Sequence, residues 1–533
     1  MSAIANSGKL VRLALRRDRI VLPAWLVVFV LFAAVNAAAV ADLYPSVASR
    51  VQAAGASNST PSLVMLYGWI YDPTAIGAIA ILKLGGPYAA LVGVLAIILT
   101  NRHTRSEEEA GRLELIGSTV VGRHSALAAT MFTMVGAGVV LGLATAAALA
   151  AAGLPVAGSV AFGAAWTGLV LVFSAVTAFI AQLAQSSRTA TGLSVLALGV
   201  AFVLRAVGDV TGHDRHPTFL TWLSPIGWAQ QVRPYAGDRW WVLLITLGFS
   251  VLLYAAAYVL ASRRDLGAGI LPDRPGRATA SKALRSPVGL AWRLQRNALY
   301  GWAGGFLLMG LVFGSAASGF GELLNSPSAK QLITALGGEK GVTEAFMAAV
   351  FGIVAVIASA YGISAALHLR GEESELRAEP LLATRAGRVR WAWSHTFVAL
   401  AGTTVLLLVN GIGAGITYAA HTGDGADFGR LIVAALVQLP AVWVLTGFVV
   451  ALFGLLPRLT VLGWVVLAAL VALSEVGPLV KLDKTVLDVS PFAHIPKLPG
   501  GDVTVAPLAI LVGVAAVLVA AGLVGFRRRD IAP

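Results

Sequence analysis

Along this chain the apolar residues neither alternate nor keep to one helical face. They run in long blocks separated by short polar or charged stretches. A helix rises about 1.5 Å per residue and a bilayer's hydrocarbon core is about 30 Å thick, so roughly 20 apolar residues cross it. Twelve such blocks can be drawn: 20–41, 76–101, 125–152, 158–184, 190–208, 240–262, 298–318, 344–367, 391–420, 428–456, 460–478 and 505–526. Lipid offers no partner to backbone N–H and C=O groups, so only helices and closed barrels span it. Blocks this long and continuously apolar predict helices. The fold class expected is an all-α polytopic membrane protein of about 12 transmembrane helices. The first block is longer than the apolar core of a secretory signal and is expected to stay as an uncleaved span.

Composition removes the soluble alternatives. Of 533 residues, 57% are hydrophobic and 12% charged, against about 25% charged in a soluble domain. The mean hydropathy is +0.81. A soluble enzyme is excluded, and so is disorder, which needs low hydrophobicity. The net charge of +13 comes from 39 basic and 26 acidic residues. If the N-terminus is cytoplasmic, 27 of those 39 fall in cytoplasmic segments, which the positive-inside rule favours. Both termini are therefore expected inside the cell, with the chain in the plasma membrane. There is no cysteine, which excludes disulfides, thiolate nucleophiles and Cys-ligated metals. The loop 263–297, with Pro272, Pro275, Gly276 and eight basic residues, reads as a linker. The organisation expected is a first six-span half at 1–265, a linker with a second connecting helix at 266–297, and a second half at 298–533.

The two halves repeat. Residues 105–123, RSEEEAGRLELIGSTVVGR, align without gaps on 370–388, RGEESELRAEPLLATRAGR, at an offset of 265. The identities are Arg105/Arg370, Glu107/Glu372, Glu108/Glu373, Arg112/Arg377, Glu114/Glu379, Thr119/Thr384, Gly122/Gly387 and Arg123/Arg388. The same offset pairs Arg263-Arg264-Asp265 with Arg528-Arg529-Asp530, and an offset of 266 pairs Ser224-Pro225 with Ser490-Pro491. A shift of 277 matches Leu13-Ala14 and Arg16 to Leu290-Ala291 and Arg293, and Trp25 to Trp302. Six spans is an even number, so both copies start from one side. The repeat is parallel, with a pseudo-twofold axis along the membrane normal and a central seam.

The 105–123 segment lies between spans 2 and 3. Read as one helix, it sets Glu108 four residues before Arg112, a favourable ion-pair order repeated by Glu373 and Arg377. A helix that only rested on lipid headgroups would carry basic residues. A cluster of Glu107, Glu108 and Glu114, repeated as Glu372, Glu373 and Glu379, suits docking to another protein.

The pattern E-E-x-x-G-R-x-E-L-x followed by G-R at this place resembles the coupling helix of type-two ABC exporter permeases. The particular likeness is to fused twelve-span actinobacterial permeases for polyketide antibiotics and other drugs. A basic segment before span 1, with Arg12, Arg16 and Arg17, resembles that family's connecting helix; Arg293 and Arg296 sit in its second copy. Segments 218–236 and 485–500 resemble its re-entrant extracellular helices. Leu376 stands where the first copy has Gly111, and Pro380 where it has Leu115, so the two docking surfaces are expected to differ. No G-x-x-x-x-G-K-[ST] phosphate loop occurs. The resemblance thus implies a separate ATPase subunit, in two copies, that holds ATP and Mg; no cofactor is expected on this chain.

Ionisable residues within spans are costly and draw attention. Arg205 in span 5 and Glu475 in span 11 lie near related places in the repeat. The expectation is that both snorkel to water from the outer ends of their spans; the competing reading pairs them across the seam as a gate. Phe202 and Trp464 are candidate liners of an apolar substrate path. Asn36, Asn410 and Gln438 are expected to bond between helices, and Lys83-Leu84-Gly85-Gly86-Pro87 predicts a broken span 2. The eight histidines show no metal-binding spacing. The function expected is export of lipophilic or amphipathic compounds. The alternatives are a proton-coupled major-facilitator-like transporter and, less supported by the outer loops, a membrane-embedded transferase.

Overall fold

The computed structural model describes residues 3–271, 278–323, 338–476 and 483–530. Two compact units divide at residues 276 and 277. Among the described residues the regular structure is helical, apart from one isolated β-bridge at His213 and His216. Ten helices among the described residues are long and apolar enough to cross a membrane.

Unit 1 begins with α1 (Ser7–Arg17) and the first span α2 (Val21–Leu43), followed by α3 (Val47–Ser59) and α4 (Pro61–Tyr67). The second apolar block is broken into α5 (Ile76–Ala80), α6 (Leu82–Gly85) and α7 (Pro87–His103). The break has two causes. Pro87 lacks an N–H and opens a new helix, and Gly86 lets the Leu66 carbonyl approach so closely that a Cβ would lie 2.3 Å from its oxygen. Then come α8 (Arg105–Glu109), α9 (Arg112–Gly117), and the spans α10 (Ser125–Ala151), α11 (Val156–Leu183) and α12 (Ser187–Val210). The short helices α13 (Phe219–Trp222) and α14 (Pro225–Gln231) precede the last span, α15 (Val242–Ser262).

The centre of this unit is α11, whose most apolar stretch is 67% buried. It packs on α7, α10, α12 and α15. Its contact with α10 is made by glycines: a Cβ on Gly142 would lie 2.5 Å from the Gly163 oxygen, and one on Gly163 2.2 Å from the Gly142 oxygen. Lipid tails are as apolar as leucine, so this close backbone fit, rather than hydrophobicity, holds the two helices together. Asn36 donates to the Ala80 carbonyl between helices, as expected.

Unit 2 has α16 (Pro287–Leu323), α17 (Gly338–Ser374), α18 (Ala378–Leu382), α19 (Arg388–Thr422), α20 (Gly425–Leu436), α21 (Leu439–Leu455), α22 (Leu462–Val476), α23 (Lys484–Leu487) and α24 (Val505–Arg528). The expected second connecting helix is not separate: it is the start of the 37-residue α16. The tenth apolar block is interrupted at Val437–Gln438, and the described part of the eleventh is the helix Leu462–Val476. Asn410 donates to the Phe306 carbonyl at 3.0 Å, bonding α19 to α16.

Candidate functional site

At one end of unit 1 the chain leaves α7, turns at Thr104 and enters the repeated segment. One helix over this segment was expected; two short ones form. Gly111 adopts a left-handed φ of +70° between α8 and α9, a conformation glycine takes without penalty. In unit 2 Leu376 holds the same place with φ +60°. Both positions donate their N–H at 3.0 Å to a carbonyl three residues back, that of Glu108 or Glu373. The bend recurs although the residue differs.

The bend also corrects the expected ion pairs. Arg112 bonds Glu107 through Nε and Nη2, both at 2.8 Å, and not Glu108. Arg377 bonds Glu372 at 3.0 and 2.9 Å, and not Glu373. Glu108 turns inward and is 7% exposed. Its carboxylate takes both Nη atoms of Arg264, the Gly267 N–H at 2.7 Å and Arg105 Nη1 at 2.9 Å. Burial alone would raise the Glu108 pKa, but bonds from Arg264 and Gly267 and the nearby positive charges outweigh it and hold the pKa below the usual range.

Glu373 is 1% exposed. It accepts from Arg529 Nη1 and Nη2 at 2.6 and 2.7 Å and lies 3.5 Å from Arg370. The clamp is therefore built twice, with Arg264 and Arg529 at matching places in the repeat. Arg123 adds a bond to the Ser262 carbonyl at 3.0 Å, and Arg388 one to the Arg529 carbonyl at 2.8 Å. Thr119 and Thr384 each bond a carbonyl three residues back at 2.6 Å. Glu114 and Glu379 alone among the paired acids are solvent-exposed. The repeated Arg-Arg-Asp run was the sequence signal for the two missing partners, but nothing in its spacing named Glu108 or Glu373.

The first connecting helix joins this site. Arg12 and Arg16 are exposed, whereas Arg17 bonds Glu107, which so bridges Arg17 and Arg112. Asp18, 1% exposed, pairs with His103 and with Arg102 at 3.2 Å, a junction missed in the sequence. In unit 2 Arg293 and Arg296 are exposed on α16. The residue matching Asp18 is Gln295, which is buried and bonds His395 at 3.2 Å. Two cavities of about 500 and 550 Å³ flank α9, and Leu113 and Ile116 line both.

At the other end of unit 1, Arg205 does not snorkel: it is fully buried. It lies 3.5 Å from Asp209, donates to the Leu66 carbonyl at 3.3 Å and stacks 4.5 Å above the Phe202 ring. Asp209, four residues on, is the partner that sequence reading overlooked. It accepts from Thr221 at 2.9 Å, and its carbonyl takes the Trp69 indole at 3.0 Å. Ser224 caps α14 and donates to the Ala201 carbonyl at 2.6 Å. Gln230 reaches the Tyr67 and Gly85 carbonyls, each at 3.0 Å. The α13–α14 pair is thereby bolted to spans 2 and 5. In unit 2, Trp464 is 42% exposed on α22. The Glu475 side chain lies outside the described residues, so its pairing with Arg205 does too. Among the described residues, no three His, Asp or Glu side chains gather where they could hold a metal.

A duplicated, all-helical chain with many membrane-length helices, and with a clamped bend at one end of each unit, has the build of a membrane permease. Over 533 residues, 99% of this chain and 96% of the relative, it is 43% identical to the multidrug efflux system permease protein Rv1217c of Mycobacterium tuberculosis (strain ATCC 25618 / H37Rv). A family model described as the C-terminal domain of the multidrug efflux system permease Rv1217c matches residues 284–527. The chain belongs to the Rv1217c family of multidrug efflux permeases.

Proposed function

We propose that this chain is the transmembrane subunit of an ABC exporter that moves lipophilic or amphipathic compounds out of the cell. A separate ATPase subunit, one copy under each unit, binds ATP and Mg and supplies the energy. Both termini and the two clamped bends face the cytoplasm. The observation that carries the reading is the twice-built bend in a chain closely related to an efflux permease. It presents a shaped surface, anchored through Glu108 and Glu373, at matching places in the two units.

The docking surface differs from the one the acidic cluster suggested. Glu108 and Glu373 support it from beneath, while Glu114, Leu115 (73% exposed) and Glu379 form its outer face. ATP-driven approach of the two ATPase subunits pushes on these bends, and the spans above them respond. The test is purification of the tagged chain with its genomic neighbours, followed by vanadate-sensitive ATPase assay. Wild type copurifies with an ATPase, and Glu114→Lys with Glu379→Lys cuts its recovery about tenfold, as loss of about 1.4 kcal/mol of binding does. A wild-type chain that purifies alone and transports on a proton gradient refutes the reading.

A further inference from the structure

In each unit the repeated bend touches more than its own loop. In unit 1, Arg105 donates to the Gln185 carbonyl at 2.8 and 2.6 Å, in the turn joining α11 to α12, and to Gly267 and Ala268 beyond α15. Arg264 adds a bond to Gln182 at the end of α11, at 2.9 Å. In unit 2, Arg529 reaches the Phe453 carbonyl of α21 at 3.3 Å and packs 5.1 Å from the Phe453 and Phe526 rings. Around each buried Glu the ends of three or four spans thus converge. By contrast, α9 has no buried residue and lies between two cavities. The bend is thus anchored through Glu108 and its partners, and α9 carries its exposed face.

We propose that Arg264 and Arg529 are positioning residues for transport. Each locks the bend of its unit to the end of that unit's sixth span, so that the two move as one body. The inference rests on the reading of the bends as docking elements. Its physical basis is the paired Nη–carboxylate geometry, which is both strong and directional, around carboxylates that are themselves buried. A push on the exposed outer face then displaces the spans instead of being lost in the loop. The repeat supports this: Gly111 and Leu376 differ, as do Leu115 and Pro380, yet the Glu–Arg lock recurs. A role in folding alone would not separate ATP hydrolysis from transport, and that separation is what the experiment reads.

The chain has no cysteine, so paired cysteines can be placed cleanly. The complex with its ATPase is reconstituted in vesicles, and dye moved per ATP hydrolysed is measured with whichever of ethidium, rhodamine 6G and daunorubicin wild type transports. Arg264→Gln with Arg529→Gln should keep ATP hydrolysis within about twofold. Transport per ATP should fall by about 5- to 150-fold, the usual span of a coupling between sites. Glu108→Cys with Arg264→Cys, which opens the lock of unit 1 alone, should show part of that loss, and a short reversible bis-thiosulfonate bridge should restore at least half of what this variant loses. An unchanged ratio in the glutamine variant, or a bridge that fails to restore it, overturns the proposal. If the cysteine pair does not assemble, Arg264→Lys and Arg529→Lys keep the charge but lose the fork; undiminished coupling there overturns it equally. Failure of wild type to bind or use an ATPase would instead bring down the permease reading.

Discussion

The pair of Arg205 and Asp209 allows a prediction with a worked magnitude. Both side chains are fully buried, and among the described residues the guanidinium meets Asp209, the Leu66 carbonyl and the Phe202 face. Asp209→Ala leaves the arginine charge buried without its counter-ion, which costs about 3–5 kcal/mol. The remaining cation–π contact recovers about 0.5–2 kcal/mol at most and is present in wild type too, so it does not reduce the difference. The loss of the Thr221 bond at 2.9 Å adds to the cost. At about 2–3 °C per kcal/mol for a unit of more than 200 residues, the melting midpoint should drop by roughly 6–15 °C. Replacing both partners, Arg205→Met with Asp209→Leu, removes the charge as well as its partner and should recover most of that drop. The assay is thermal unfolding of the detergent-purified protein, read as a double-mutant cycle. If Asp209→Ala melts within 2 °C of wild type (about 1 kcal/mol), or the double variant is no better than the single, the buried-pair reasoning is refuted.

Two further perturbations probe the bends. Leu376→Gly should raise the melting midpoint slightly: relief of a left-handed leucine gains about 1–2 kcal/mol, and glycine's extra unfolded-state freedom takes back about 0.5–1 kcal/mol. A lower midpoint would show that the Leu376 side chain itself holds the bend. The Glu108 carboxylate has a folded pKa below its unfolded value of about 4.3. Its stabilisation is therefore complete above that pH and is lost as pH falls toward the lower folded value. Glu108→Gln should flatten this acid limb in a melting-temperature–pH profile while lowering the plateau at neutral pH.

The fold class was legible in the residues alone, because a run of some twenty apolar residues has no soluble solution and lipid admits only self-satisfied backbones. The sequence also determined the duplication and the break in span 2, since Gly-Gly-Pro cannot continue a helix. It pointed to a permease family through resemblance, because the segment between spans 2 and 3 carries a motif like that family's coupling helix. Which charges meet was decided only in the tertiary structure. Helical periodicity paired Glu108 with Arg112, but one left-handed residue at Gly111 or Leu376 rotates the segment and hands Arg112 to Glu107. Glu108 is then free to find Arg264, more than 150 residues away, and Glu373 finds Arg529 in the same way. The burial of Arg205 was hidden for a like reason. A residue near a helix end looks able to reach water, and only the packing of α13, α14 and the Leu66 carbonyl over that end denies it. Local pattern sets what each segment must be; long-range packing sets which of its polar groups face water and which must find one another.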